Sequence, residues 1–125
     1  MYRQFEVINT LIVSNIAGKG EEYLQDKIDG YFVSSIRTIR VMKGMFERNE
    51  YERLAAEATK LGVLAAGLGV NRVLALCATI GVQCTANSIQ DHERQEIECN
   101  IQILERQNYE GHGALLQLLD HLTLN

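Results

Sequence analysis

Residues 24–46 read LQDKIDGYFVSSIRTIRVMKGMF. In them Leu24, Ile28, Tyr31, Ser35, Ile39, Met42 and Phe46 recur at spacings of four, three, four, four, three and four. Those spacings keep seven side chains on one face of an α-helix. Ser35 is the only polar member and is small enough to be tolerated. Gly30 and Gly44 fall inside the pattern and each cost about 1 kcal/mol relative to alanine, so the apolar stripe must supply the stability. The chain contains no proline, which favours uninterrupted helices.

Working outward, the period stays helical. Toward the N-terminus, Phe5, Ile8, Ile12 and Ile16 predict a first helix over about Tyr2 to Ile16, ended by Gly18-Lys19-Gly20. Beyond Phe46, Asn49 reads as an N-cap with Glu52 at the third helical position. The helix that follows carries Leu54, Ala58, Leu61, Ala65 and Leu68 on its core stripe and is closed by Gly69. A fourth helix starts near Asn71 with Val73, Leu74, Cys77, Ile80 and Cys84. A break is expected around Ala86-Asn87-Ser88, after which Ser88 and Asp91 restart a helix carrying Ile97, Ile101 and Leu104. Gly111-His112-Gly113 interrupts that pattern, and Leu115, Leu118, Leu119 and Leu122 make a last amphipathic piece. The predicted fold is all-α: an antiparallel four-helix bundle with additional terminal helical segments, forming a single domain over residues 1–125.

Composition narrows the function classes. The chain is 46% hydrophobic, enough for a core, and its net charge of −4 argues against nucleic acid, which requires a basic face. Three cysteines, Cys77, Cys84 and Cys99, are odd in number and loosely spaced, which suits a reducing compartment better than a disulfide framework. No basic region followed by an apolar run and cleavage site opens the chain, and no run reaches the ~18 apolar residues of a membrane span. The expectation is a cytoplasmic protein, nucleocytoplasmic in a eukaryote, with no membrane partner.

The outward side of the third helix is unusual. At 100° per residue, Arg53, Glu57 and Lys60 form one solvated flank. The face opposite the core holds Ala56, Thr59, Val63 and Ala66, with Glu52 its only charge, and Ala55 and Gly62 lie between that face and the core. Two readings stand: alanine as a helix former with one exposed valine, or a docking surface made of short side chains.

Residues 58–69, Ala58-Thr59-Lys60-Leu61-Gly62-Val63-Leu64-Ala65-Ala66-Gly67-Leu68-Gly69, resemble the phospho-acceptor helix of the histidine phosphotransfer family. That helix reads roughly Ala-His-Thr-Leu-Lys-Gly-Ser-Ala-Ala-Asn-Leu-Gly. Aligned on Leu68-Gly69, the acceptor histidine falls on Thr59, the usual lysine on Gly62 and the usual glycine on Val63. Aligned on Gly62 as the family glycine, the acceptor slot holds Ala58, with one residue inserted before Gly69. Thr59 is on the outward face and Ala58 on the core stripe, which favours the first register. Residues 23–32 are similar to the start of the family's second helix, Arg48 to Ala55 to its turn and helix entry, and Val70 to Cys77 to the opening of its next helix. About half the chain is covered.

The resemblance implies a four-helix bundle that binds response-regulator receiver domains around the acceptor position. Phosphotransfer needs an imidazole nucleophile that forms a labile phosphoramidate, and neither register supplies one. The lysine is also missing, and Lys60 lies about 100° around the helix from the slot. The resemblance thus points to a catalytically silent member, with no catalytic residue, cofactor or metal and Thr59 as the degenerate acceptor position. It would dock a receiver domain or a histidine kinase as inhibitor or adaptor in two-component signalling. Its partner-binding residues would be Ala56, Thr59, Lys60, Gly62, Val63 and Ala66, with Arg53 on the rim. The main alternative is a self-associating helical scaffold, a homo-oligomer formed through the alanine-rich face. Lesser rivals are a phosphotransfer protein with an unexpected acceptor and an unrelated helical enzyme. His92, His112 and His121 read as surface histidines, His112 in a loop, and Cys77 and Cys84, which share a helix face, read as small core residues rather than zinc ligands with Cys99 or His92.

Overall fold

The computed structural model describes residues 8–123 as an all-α chain. Its helices are α1 (Thr10–Ala17), α2 (Glu21–Glu47), α3 (Tyr51–Leu68), α4 (Asn71–Cys84) and α5 (Asp91–Thr123). The four longer helices pack around one core: α2 lies against α3 and α5, and α4 lies against the same two. The short α1 rests on α2 and α3.

Helix α2 buries Leu24, Ile28, Tyr31, Ser35, Ile39, Met42 and Phe46, the seven positions of the sequence pattern. Across from them α5 buries Ile97, Ile101, Leu104, Asn108, Leu115 and Leu119. The polar members of the two stripes meet. The Tyr31 hydroxyl donates to Asn108 Oδ1 at 2.7 Å, Asn108 Nδ2 donates to Ser35 Oγ at 2.8 Å, and Ser35 Oγ donates back to the Phe32 carbonyl at 2.9 Å. Buried polar groups are costly unless paired, so this chain of bonds fixes the register of α5 along α2. No buried side-chain nitrogen or oxygen among the described residues lacks a partner.

Four local expectations are corrected. Tyr2 and Phe5 lie outside the described residues; within the described ones Ile8 and Asn9 are not helical, and the helix runs over Thr10–Ala17. Asn9 caps it, its Oδ1 accepting from the Leu11 and Ile12 amides at 3.1 and 3.3 Å. That local bond competes with helix upstream of the cap. Ile8 instead pairs with Val70 in an isolated antiparallel bridge and is 2% exposed, and within α1 the buried residue is Val13 rather than the Ile12 and Ile16 stripe.

Asn49 is not the N-cap of α3. Its φ is +57°, and its Oδ1 accepts from the Tyr51 hydroxyl and from Arg94 Nε, each at 3.0 Å. Arg94 also donates to the Phe46 carbonyl and lies 4.1 Å over the Phe46 ring, clipping the start of α5 to the end of α2. Glu50 holds the cap position, with its carboxylate on Arg48 and Arg53; the Arg48 hydrogen bond holds that carboxyl below the usual range.

The break after Cys84 is present, but α5 starts at Asp91, with the Gln90 amide donating to Glu93 Oε1 at 3.0 Å. Finally, α5 runs unbroken through Gly111-His112-Gly113. The buried positions keep helical spacing across Gly111, which is itself buried, so packing on both sides outweighs the glycine penalty. His112 is therefore helical, its ring stacked on Phe32 with centroids 3.7 Å apart. Burial lowers its pKa, opposed by Asp29.

Candidate functional site

The α3–α4 pair positions the site. Helix α3 ends at Gly69, whose φ of +67° is the left-handed conformation that closes a helix, with the Val70 amide donating to the Ala65 carbonyl at 2.9 Å. The Asn9 amide donates to the Gly69 carbonyl at 2.6 Å, so the segment before α1 straps the α3–α4 turn. A Cβ on Gly69 would lie 2.7 Å from Asn9 Cβ, which makes glycine the residue this approach requires.

Within the pair, Leu54, Ala58, Leu61, Ala65 and Leu68 of α3 and Val73, Cys77, Ile80 and Cys84 of α4 are buried. Burial pushes the thiols up, Cys77 to about 12 and Cys84 to about 11, so both are neutral small apolar groups. Gly62 is buried as well. A Cβ there would sit 3.5 Å from Cys77 Cβ and 3.6 Å from Leu74 Cδ1, so the helices approach closely at this point.

Above that contact opens a groove of about 570 Å³ lined by thirteen residues, none of them charged. Its α3 wall includes Ala56, Thr59, Val63 and Ala66. Its α4 wall includes Leu74, Ala78, Val82 and Thr85. Val63 and Val82 stand out from the walls at 69% and 74% exposure, and Leu74 is 39% exposed. On the other side of the α3 ridge a second groove of about 580 Å³ runs between α2 and α3, lined by eleven residues that include Tyr23, Asp26, Lys27 and Leu64. Val63 borders both.

The structure thus brings Ala56, Thr59, Val63 and Ala66 together on an exposed ridge, and sets Gly62 beneath it as floor rather than surface. It does not bring in Lys60, whose Nζ lies 3.2 Å from Glu57 Oε2 and which lines neither groove. The Thr59 hydroxyl donates to the Ala55 carbonyl at 3.0 Å, satisfied by its own helix. None of the three histidines lines either groove.

The sequence reading of the face missed its α4 half. The signal was available: no charged residue stands between Arg72 and Asp91, so α4 beyond Arg72 has no charge on any side. Among the described residues there is no helix long and apolar enough to cross a membrane and no group of three or more His, Cys, Asp or Glu placed to hold a metal ion. The arrangement is an exposed groove without a charged lining residue.

No protein-family model matches the chain, and no curated protein and no solved structure matches it.

Proposed function

We propose that this chain is a phosphotransfer-like antiparallel four-helix bundle that docks a response-regulator receiver domain, or a histidine kinase, without passing phosphate. It acts as an inhibitor or adaptor by occupying the partner's docking face. The observation that carries this reading is the α3 ridge: Val63, 69% exposed, stands between two grooves, one without any charged lining residue. Val63 is common to the linings of both grooves, so one contact surface can span the ridge and both grooves. A large exposed apolar patch marks an interaction site, and a surface with one ridge and two grooves suits a folded domain better than a small molecule. Thr59 supports silence in phosphotransfer, because its hydroxyl is bonded to Ala55 and no imidazole lies in either groove.

The test is direct binding of the purified chain to a panel of receiver domains and histidine kinases from the same source, by titration calorimetry, followed by incubation with the phosphorylated receiver. Saturable 1:1 binding to at least one of them, with no phosphate on this chain, is the expected result. No binding across the panel, or phosphate that appears on the chain and passes to a second receiver, overturns the proposal.

A further inference from the structure

The outward stripe of α2 carries charges that form no ion pair within the described residues, although Asp29 Oδ1 accepts from Gln25 Nε2 at 3.1 Å and Asp29 acts on His112. Two residues before each buried position of α2 stand Glu22, Asp26, Asp29, Val33, Arg37, Arg40 and Gly44, at the same spacings of four, three, four, four, three and four. A shift of two residues turns 200° around the helix, so this stripe points away from the core. Glu22, Asp26, Asp29, Arg37 and Arg40 are all exposed, and Val33 is 58% exposed.

The order is mirror-complementary about Val33. Four residues to either side stand Asp29 and Arg37, and seven residues to either side stand Asp26 and Arg40. Within one chain the pattern is unfavourable, because Asp26 with Asp29 and Arg37 with Arg40 are like charges three apart. No ion pair forms at Asp26, Asp29, Arg37 or Arg40 among the described residues, whereas Lys43, Arg48, Arg53 and Lys60 each have a carboxylate within 4.0 Å. The helix dipole does not account for the arginines either. Its effect is confined to the last turn, and the last turn of α2 holds no basic residue.

From this we infer that α2 pairs with the α2 of a second copy of this chain, antiparallel, across a two-fold axis at Val33. A two-fold interface presents the same patch twice, and here the patch complements itself: Val33 meets Val33 of the second copy, Asp29 meets Arg37, and Asp26 meets Arg40, each ion pair occurring twice. Gly30 flanks the line with open space above it and lets the helices approach. Strand addition is not an alternative route, since the described residues hold only one isolated bridge and no sheet edge. A single helix–helix seam is a small interface, and its charge pairs are screened by salt, so the dimer is weak and dissolves as salt rises. The inference does not use the α3–α4 groove, but Asp26 and Gly30 also line the α2–α3 groove, so Val63→Asp, which leaves the stripe intact, is the variant that separates it from the docking reading.

Sedimentation equilibrium on the full chain tests it. Wild type dimerises at low salt and is monomeric at high salt. The double variant Arg37→Glu/Arg40→Glu makes the four paired positions all acidic and is monomeric alone; Asp26→Lys/Asp29→Lys makes those four positions all basic, with Glu22 the one acid left on the stripe, and is monomeric alone. Mixed in equal amounts, the two restore a dimer at least about tenfold tighter than either alone. Circular dichroism confirms that both remain helical, as expected for exposed sites. Wild type that stays monomeric at low salt overturns the inference, and so does a mixture that stays monomeric. A dimer dissolved by Val63→Asp but not by the stripe variants overturns it as well, by moving the interface to α3.

Discussion

Replacing Val63 by aspartate separates a docking ridge from a core position. In the free protein Val63 is 69% exposed and lines both grooves. Full burial of a valine contributes about 1.5–3 kcal/mol, so covering the exposed part in a complex is worth about 1–2 kcal/mol. Aspartate forfeits that contribution and adds a carboxylate with no partner against the uncharged α3–α4 groove, at a further cost of more than about 1–3 kcal/mol. The complex should therefore weaken by at least about 2 kcal/mol, about thirtyfold or more in Kd. Stability should scarcely change. Valine and aspartate have similar helix propensities, and an exposed substitution of this kind stays within about 0.5 kcal/mol, or about 2 °C in melting temperature for a chain of this size. Titration calorimetry against the receiver or kinase that binds wild type gives the first quantity, and a circular-dichroism melt gives the second. Binding unchanged in Val63→Asp would refute the ridge as the contact. A melting temperature lowered by ten degrees or more would instead mean that Val63 belongs to the core.

Thr59→His restores an imidazole at the acceptor slot but not the lysine lost at Gly62, which is buried under Leu74 and Cys77; incubation with a phosphorylated receiver should leave this variant unlabelled, and rapid acid-labile labelling would contradict that. Gly69→Ala puts a methyl 2.7 Å from Asn9 Cβ at a φ of +67°, so the N-terminal strap must shift and the variant should lose about 1–3 kcal/mol in urea unfolding. Thiol labelling at pH 8 should modify exposed Cys99 quickly and Cys77 and Cys84 only as the fold opens, because burial holds the latter two near 12 and 11 as neutral thiols. The sign for stability follows. These thiols ionise more readily unfolded than folded, so their contribution is intact below the ordinary cysteine value of about 8.5 and is lost as pH rises toward 11–12. A melting temperature that rises between pH 8 and pH 11 would contradict it.

The α2 register was legible because its stripe is long and fully periodic; all seven positions are buried. The N-terminal reading failed where a side chain competed with the backbone. Ile8 keeps helical spacing with Ile12 and Ile16, yet Asn9 turns its carboxamide onto the next amides and releases Ile8 to pair with Val70. The Asn49 cap failed for a related reason. Asparagine suits both a cap and a left-handed turn, and the choice was decided by Arg94, forty-five residues downstream. At Gly111-His112-Gly113 the local glycine cost was read correctly, but the opposing term was non-local: His112 stacks on Phe32, and Ala114, Leu115 and Leu119 are buried.

The site shows the same division. One helical wheel was enough to mark Ala56, Thr59, Val63 and Ala66 as outward and apolar, and all four are exposed. A wheel has no neighbours, so it presented a flat face where packing makes a groove, and it gave Gly62 to the surface although α4 lies on it. The pairing that supplies the second wall depends on which helix packs closest to α3, and that is decided by small residues at the contact. Gly62 admits Cys77 and Leu74, and Ala78 and Gly81 continue the low wall along α4. Small residues thus do two jobs in this hairpin. They bring α3 and α4 together, and they leave the outer surface so low that Val63, Val82 and the partly exposed Leu74 stand above it. A partner that recognises this chain therefore reads shape and apolar contact there, and substitutions that raise the floor, such as Ala78→Leu, should block docking as effectively as a charge on the ridge.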